Sequence, residues 1–429
     1  MKPRAARGFI GGLCLIALLA NASPLLAQAP NIRAVEVRLR QDVTFLTDPK
    51  LEGRGAGTAG LEEAGKYIER QFEAAGLAPA GDGGGWRQDL DSDAGGDSNV
   101  LGRLRGAGAT AGATPGATAG EAATCLVLGA HFDHLGRDGS GAIFAGADDN
   151  ASGVAILLEV ARRLAEETAQ DGSMRPARDI LFVAFAGEET GLLGSRAYVA
   201  RPACPLEETV AMINLDTVGR LQGGRLFAIG AGSALEWDSM LKGVAMAAGI
   251  QVDALNAGPF ASDQVPFFER GVPVLHLFTG PNADYHRAAD TAEKLDYAGM
   301  SSTADLVTEL LLYLTDRPGR LTFVPPGAAE AKPQSSSNPA PRRVSLGTIP
   351  DFSRESGGVL LSGVMPGSPA EGAGFQKGDV LVELDGESLD TLADFTDVLK
   401  RHAPGDSVVV VVDRAGQRIS RTVQLAERK

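Results

Sequence analysis

The sequence predicts an α/β fold: a largely parallel mixed sheet with helices on both faces, followed by a small β-rich domain. Three observations carry this expectation. Between residues 125 and 278 the near-continuous apolar runs CLVLGA, DILFVAFA, VAMINL and VPVLHLF alternate with stretches of helical period. A strand that is apolar throughout is buried on both faces, the condition of a parallel strand between two helical layers. A Pro-, Ser- and Ala-rich stretch, 316–342, then reads as an interdomain linker, and 343–429 holds only short strands, turns and one helix.

The elements follow in order. Lys2, Arg4 and Arg7 precede an apolar run from Phe9 to Ala20 and the small-residue end Leu25-Leu26-Ala27, so residues 1–27 read as a secretory signal cleaved near Ala27. The run is too short for a membrane span, at about 12 residues against the ~20 required, and no later segment is long enough. Cys14 lies inside that run and makes a poor lipid-attachment site. A first domain is expected over 33–315. It opens with an amphipathic helix from Thr58 to Ala75, with Thr58 as cap, Leu61, Ala64, Ile68 and Phe72 on one face, and Gly76 as the stop. The Gly- and Ala-rich stretch from Pro79 to Ala123 reads as a loop or excursion between edge strands. Strands at Cys125–Ala130, Asp179–Ala186, Val210–Leu215 and Val272–Phe278 alternate with helices at Ser152–Glu167 and after Gly191, and a helix from Thr303 to Leu314 closes the domain.

The formal net charge is −14, and loss of the three basic residues of the leading segment makes it more negative. Nucleic acid and anionic membrane surfaces are therefore poor partners, and a cationic substrate group fits better. Cys125, in a core strand, and Cys204, in a loop, form no disulfide framework. They read as two separate thiols, with a single bridge the alternative that an exported chain permits.

The chemistry is concentrated just past the apolar runs, where a parallel sheet places ligands. His131 in GAHFDHLG, Asp148 in GADDNASG, Glu189 in AGEETGLLGS, Asp216 in NLDTVGR and His286 in YHRAADT are five metal-ligand types in order. They suit two zinc ions sharing one carboxylate, which is read as that of Asp148. Asp133 follows His131 at the spacing that lets a carboxylate hold a ligating imidazole. Glu188 and Glu189 directly follow a hydrophobic strand, where two ionised side chains need compensation. A metal compensates Glu189, and Glu188 is left to move a proton as general base. His276, inside an apolar run, reads as a core histidine, and His134 as a supporting or loop residue.

This run of motifs, with LEGRGAGTAG before it, resembles the co-catalytic zinc aminopeptidases of peptidase family M28 from about Leu51 to Leu314. The resemblance implies the zinc exopeptidase, phosphorylase/hydrolase-like, fold and two Zn2+ per chain. It implies His131, Asp148, Glu189, Asp216 and His286 as ligands, Glu188 as general base and Asp133 as the residue orienting His131. Tyr285 is implied as a stabiliser of the oxyanion, and a cis peptide is implied between Asp148 and Asp149. Residues 343–429, with VSLGTIPD and VMPGSPAEGAGFQKGDVLVELDGESL, resemble a bacterial PDZ domain, which implies a C-terminal peptide ligand added as a strand.

The expected function is that of a periplasmic or secreted metallo-aminopeptidase acting on peptides with a free N-terminus. An M28-like carboxypeptidase, a glutaminyl cyclase using one zinc, and a non-catalytic PDZ peptide-binding protein are the alternatives.

Overall fold

The computed structural model describes residues 32–427 apart from 91–95, 108–123, 171–174, 222–223, 257–261, 326–342, 351–353 and 355. The leading segment read as a secretory signal, most of the GAGATAGATPGATAGEAA run and most of the linker lie outside the described residues. Among the described residues no helix is long and apolar enough to cross a membrane.

The first domain is built on nine strands: β1 (Ala78–Pro79), β2 (Arg87–Asp89), β3 (Ser98–Leu104), β4 (Cys125–His131), β5 (Asp179–Phe185), β6 (Thr209–Leu215), β7 (Arg225–Ile229), β8 (Gln251–Leu255) and β9 (Val274–Phe278). Their order is β1-β3-β5-β4-β6-β9-β7-β8, with β2 beside β3. The centre, β5-β4-β6-β9, is parallel, while β3 on β5 and β7 on β9 are antiparallel. In β5, Ile180, Phe182 and Ala184 join one core and Leu181, Val183 and Phe185 another, on opposite faces. That two-sided burial explains why the strand is apolar at every position after Asp179.

The helices are α1 (Ile32–Leu46), α2 (Ala59–Ala74), α3 (Gly153–Gln170), α4 (Leu193–Ala200), α5 (Trp237–Ala248), α6 (Val265–Glu269) and α7 (Tyr297–Asp316). Leu39 of α1, Ile68 of α2, Leu157 of α3 and Leu310 of α7 share the larger core, whereas Tyr198 of α4 and Phe267 of α6 pack on the other face. α2 starts and stops where expected. The Thr58 hydroxyl accepts from Leu61 N, Leu61, Ala64, Ile68 and Phe72 are buried, and Gly76 takes a φ of 81° that a side chain would resist.

Three expectations are corrected. The stretch read as an excursion contains β3, a buried strand of the sheet. Its Asn99 side chain donates to Gly194 O (2.8 Å) and accepts from Ala186 N (3.0 Å), so its polar residues are structural. The domain also runs past 315: Leu321 is buried, Thr322 N donates to Glu236 (2.9 Å) and Val324 N to Ser233 O (2.9 Å). Finally, Cys125 and Cys204 are bonded to each other, with Cα atoms 6.7 Å apart. Parallel pairing sets Cys125 beside Thr209, and Cys204 lies five residues before that partner. The bridge closes a loop of 79 residues at the end of the sheet away from the ligand motifs. Replacing both cysteines by serine is expected to cost about 4.5 kcal/mol from loop-closure entropy alone. Equal denaturant midpoints for the double variant and the parent would contradict it.

The second domain has β10 (Val344–Ser345), β11 (Thr348–Pro350), β12 (Val359–Val364), β13 (Val380–Leu384), β14 (Glu387–Ser388), β15 (Ser407–Arg414), β16 (Gln417–Gln424) and β17 (Ala426–Glu427), with α8 (Pro369–Gly372) and α9 (Leu392–Lys400). Its main sheet runs β11-β12-β13-β15-β16, so β11 is an edge strand. Leu346, Leu381, Phe395, Leu399 and Val410 lie in a core of its own.

Candidate metal centre

β4 pairs with β5 on one side and β6 on the other, so the three carboxyl ends meet at a point where chain direction across the sheet reverses. His131 is the last residue of β4, Glu188 and Glu189 follow the end of β5, and Asp216 directly follows β6. Asp148 and Asp149 come from the turn that opens α3, and His286 from the segment after β9, where it holds a φ of 56°. Such backbone conformations of non-glycine residues cluster at functional sites.

Five side chains converge. His131 Nε2 lies 3.3 Å from Asp149 Oδ1 and 3.5 Å from Asp216 Oδ1. His286 Nε2 lies 3.1 Å from Asp149 Oδ2 and 3.2 Å from Glu189 Oε2. His131, Asp149 and Asp216 form one group able to hold a metal ion, and His134, Asp149 and Glu189 form a second. Asp149 belongs to both. His286 Nε2 and Asp149 Oδ2 are buried without a well-formed hydrogen bond, an arrangement that an ion held between them would satisfy. Two imidazoles and three carboxylates around orphaned acceptors fit zinc, with one carboxylate common to two ions.

The carboxylate common to both groups is that of Asp149, not that of Asp148 as expected. Both oxygens of Asp148 are already committed: Oδ1 accepts from Gly219 N (2.7 Å), and Oδ2 accepts from Asn282 Nδ2 (3.0 Å) and faces Arg220 Nε at 3.3 Å. The cis peptide likewise falls between Asp149 and Asn150, one residue later than expected. The turn is held from below by Asp290, whose Oδ2 accepts from Asp148 N (2.9 Å) and Asp149 N (3.1 Å) while Oδ1 accepts from Arg220 (2.9 Å).

Asp133 is fully buried and stands under the site. Its carboxylate accepts from Glu188 N (3.2 Å) and Glu189 N (3.3 Å), so it fixes the glutamate pair. It lies 3.7 Å from His131 Nδ1, which approaches the Asp133 backbone carbonyl more closely, at 3.3 Å. Ser262 donates to Asp216 Oδ2 (2.8 Å) and Thr217 to Oδ1 (2.9 Å), which orients that carboxylate. Tyr285 stacks on His286 with ring centroids 3.9 Å apart. His276 lies in the core, with Nδ1 3.2 Å from Gln264 Nε2.

Ser262, Asp290, Arg220 and Arg54 escaped the sequence reading. Arg54 is wholly buried below the acidic cluster and donates to Phe132 O (2.8 Å), Ala145 O (2.9 Å), Gly146 O (3.0 Å) and Leu46 O. Desolvation lowers its pKa to about 10, against the pull of Asp133 and Asp149. The GR dipeptide of LEGRGAGTAG was its only signal.

Charge is unevenly shared. Burial pushes the Glu188 carboxyl well above the usual range, opposed by His131 and reinforced by Glu189 and Asp216. For Asp149, burial acts upward, but His131 and His286 outweigh it and hold the carboxyl well below the usual range. For His286, burial acts downward, but Asp149 and Glu189 prevail and raise it to about 10. A histidine raised in this way stabilises the fold fully below its ordinary value near 6.5, and the contribution is lost as pH climbs towards 10. The lowered Asp149 acts oppositely, adding stability above about 4 that is lost on acidification. The metal-free protein is thus expected to melt at progressively lower temperature from pH 6.5 to 9.5 in chelator, and zinc should flatten that slope because the ligands bind deprotonated. A flat melting profile in chelator would show that His286 is not held protonated.

Comparison with known proteins bears on both domains. Residues 111–311 match the family model for peptidase family M28, and residues 346–425 match that for a PDZ domain. The larger domain belongs to peptidase family M28. The chain is 29% identical over 253 residues to leupeptin-inactivating enzyme 1 of Streptomyces exfoliatus, covering 58% of this chain and 49% of that protein. It is 32% identical over 174 residues to aminopeptidase YwaD of Bacillus subtilis, covering 38% and 36%. It thus spans about half or less of the length of these relatives. Among solved structures, the Legionella pneumophila LapA aminopeptidase superposes with a TM-score of 0.52 at 18% identity, covering 67% of this chain and 74% of that one. The Porphyromonas gingivalis glutaminyl cyclase does so with a TM-score of 0.50 at 21% identity, covering 65% and 97%. One fold carries both activities, so it is the site that has to discriminate between them.

Proposed function

We propose that this M28 and PDZ chain is an exported dizinc aminopeptidase that hydrolyses the first peptide bond of peptides with a free N-terminus. The observation that carries the reading is the pair of ligand groups meeting at Asp149, with Glu188 beside them and outside both. Two zinc ions, when bound, would supply Lewis-acid polarisation of the scissile carbonyl and an acidified attacking water. Glu188, whose raised carboxyl makes its ionised form a stronger base, is suited to take a proton from that water and then deliver it to the leaving amine. Asp133 keeps Glu188 in place through its backbone amide. Tyr285, stacked on His286 at the edge of the site, presents a phenol able to donate to the developing oxyanion. The Cys125–Cys204 bond supports an oxidising compartment, periplasmic or extracellular. The position of β11 at the end of the second domain's sheet suits strand addition by a C-terminal peptide.

Metal analysis combined with a panel of aminoacyl p-nitroanilides tests the reading. Two equivalents of zinc and release of p-nitroaniline from free, but not N-acetylated, substrates are expected. Cyclisation of N-terminal glutamine without hydrolysis, or activity confined to free C-termini, would replace it.

A further inference from the structure

His134 belongs to the second group able to hold a metal ion, and its side chain, 2% exposed, is built into the centre. Its Nδ1 lies 2.8 Å from Glu189 Oε1 and only 3.9 Å from Asp149 Oδ2. The other oxygen of the same carboxylate, Glu189 Oε2, faces His286 Nε2 at 3.2 Å. Glu189 is thus gripped from both ends, by His134 on one oxygen and by His286 on the other.

The imidazole is held on every side. Its backbone N donates to Arg54 O (3.0 Å), and the Arg54 side chain ties the flanking carbonyls of Phe132 and Gly146. Gly146, at a φ of 57°, lies against the ring: a Cβ there would sit 2.5 Å from His134 Cδ2 and 2.6 Å from Cγ. The His286 ring meets it edge-on at 5.9 Å. Nε2 is buried without a hydrogen-bond partner, so among the described residues Nδ1 is the atom through which the ring makes its polar contact.

We propose that His134 is a positioning residue for the second metal group: Nδ1–H holds Glu189 by Oε1 and leaves Oε2 turned towards His286 and Asp149. The proposal rests on the dizinc reading above. An outer hydrogen bond of this kind fixes the direction and basicity of a ligating carboxylate, and its loss typically costs 10–100-fold in metal affinity.

The test compares His134→Asn with His134→Gln in the full chain. The Asn amide nitrogen falls where Nδ1 lies and can still donate to Oε1, whereas the Gln amide falls where Nε2 lies and cannot. Zinc binding is followed by competition with a chromophoric chelator, and the Co2+ absorption spectrum reports the coordination of each group. The expected result is two zinc ions bound to the parent and to His134→Asn with similar affinities. In His134→Gln, the first ion should bind normally and the second about 10–100-fold more weakly. If Asn and Gln behave alike, whether both match the parent or both lose the second ion as completely as Glu189→Gln, the positioning role is refuted and the dizinc reading stands. A parent chain that takes up a single ion refutes the dizinc reading and this proposal with it.

Discussion

Glu188→Gln is expected to bind metal as the parent does and to lose turnover by about 10²–10⁴-fold, the usual contribution of a positioned base. The amide is isosteric, so the backbone bond from residue 188 to Asp133 survives, and the change leaves both ligand groups untouched. What disappears is the ability to hold a proton. Glu189→Gln changes a neighbouring side chain of the same type with a different outcome, because Oε1 faces His134 at 2.8 Å and Oε2 faces His286 at 3.2 Å. A neutral amide in that place offers one oxygen where two are used, so the second ion should be lost together with activity. Zinc content measured beside kcat separates the two cases. Equal metal loss in both variants would mean that base and ligand have been exchanged.

Most of the site was legible because its residues sit at strand ends. VAMINLD ends β6 with its first carboxylate, and GAH ends β4 with its first imidazole. In each case an apolar run buried on both faces can tolerate an ionised side chain only where it emerges from the sheet. The glutamate pair was legible for the same reason. The edge strand β3 was not, since its SNVLGRL mixes Gly, Asn and Arg with apolar residues and stands beside low-complexity sequence. β7, β8 and α5 were missed too: β7 and β8 are short strands, and α5 leaves Met246 exposed, so no long apolar run announces them.

The partners of charged side chains lay beyond reach for another reason. Arg54 acts on carbonyls up to 92 residues away, and Arg220 bonds to Asp284 and Asp290 at separations of 64 and 70. Local spacing carries no record of such pairings. The cysteine bridge is similar, since it depends on the register between β4 and β6, and a separation of 79 residues conceals that register.

The adjacent aspartates show this limit most sharply, and they carry the second large expected effect. By sequence Asp148 and Asp149 have equal claims, both being acidic residues of a turn that opens a helix. The tie is broken by Gly219, Asn282 and Arg220, which occupy both oxygens of Asp148 and leave Asp149 facing His131 and His286. Asp149→Asn should therefore weaken both ions at once and abolish activity, since its carboxylate is the one the two groups share. Asp148→Asn should keep both ions near parental affinity but lower stability. Burial drives the pKa of Asp148 to about 7, so part of the population already carries a proton at neutral pH. Even so, an amide nitrogen turned towards Gly219 N or Arg220 leaves a buried donor facing a donor. Breaking such a buried arrangement costs about 3–5 kcal/mol when the charge goes uncompensated, and less here to the extent that Asp148 is protonated. Melting temperature and zinc content read together decide the matter: a variant at 148 that loses both ions at parental stability, beside one at 149 that keeps them, would return the shared carboxylate to Asp148.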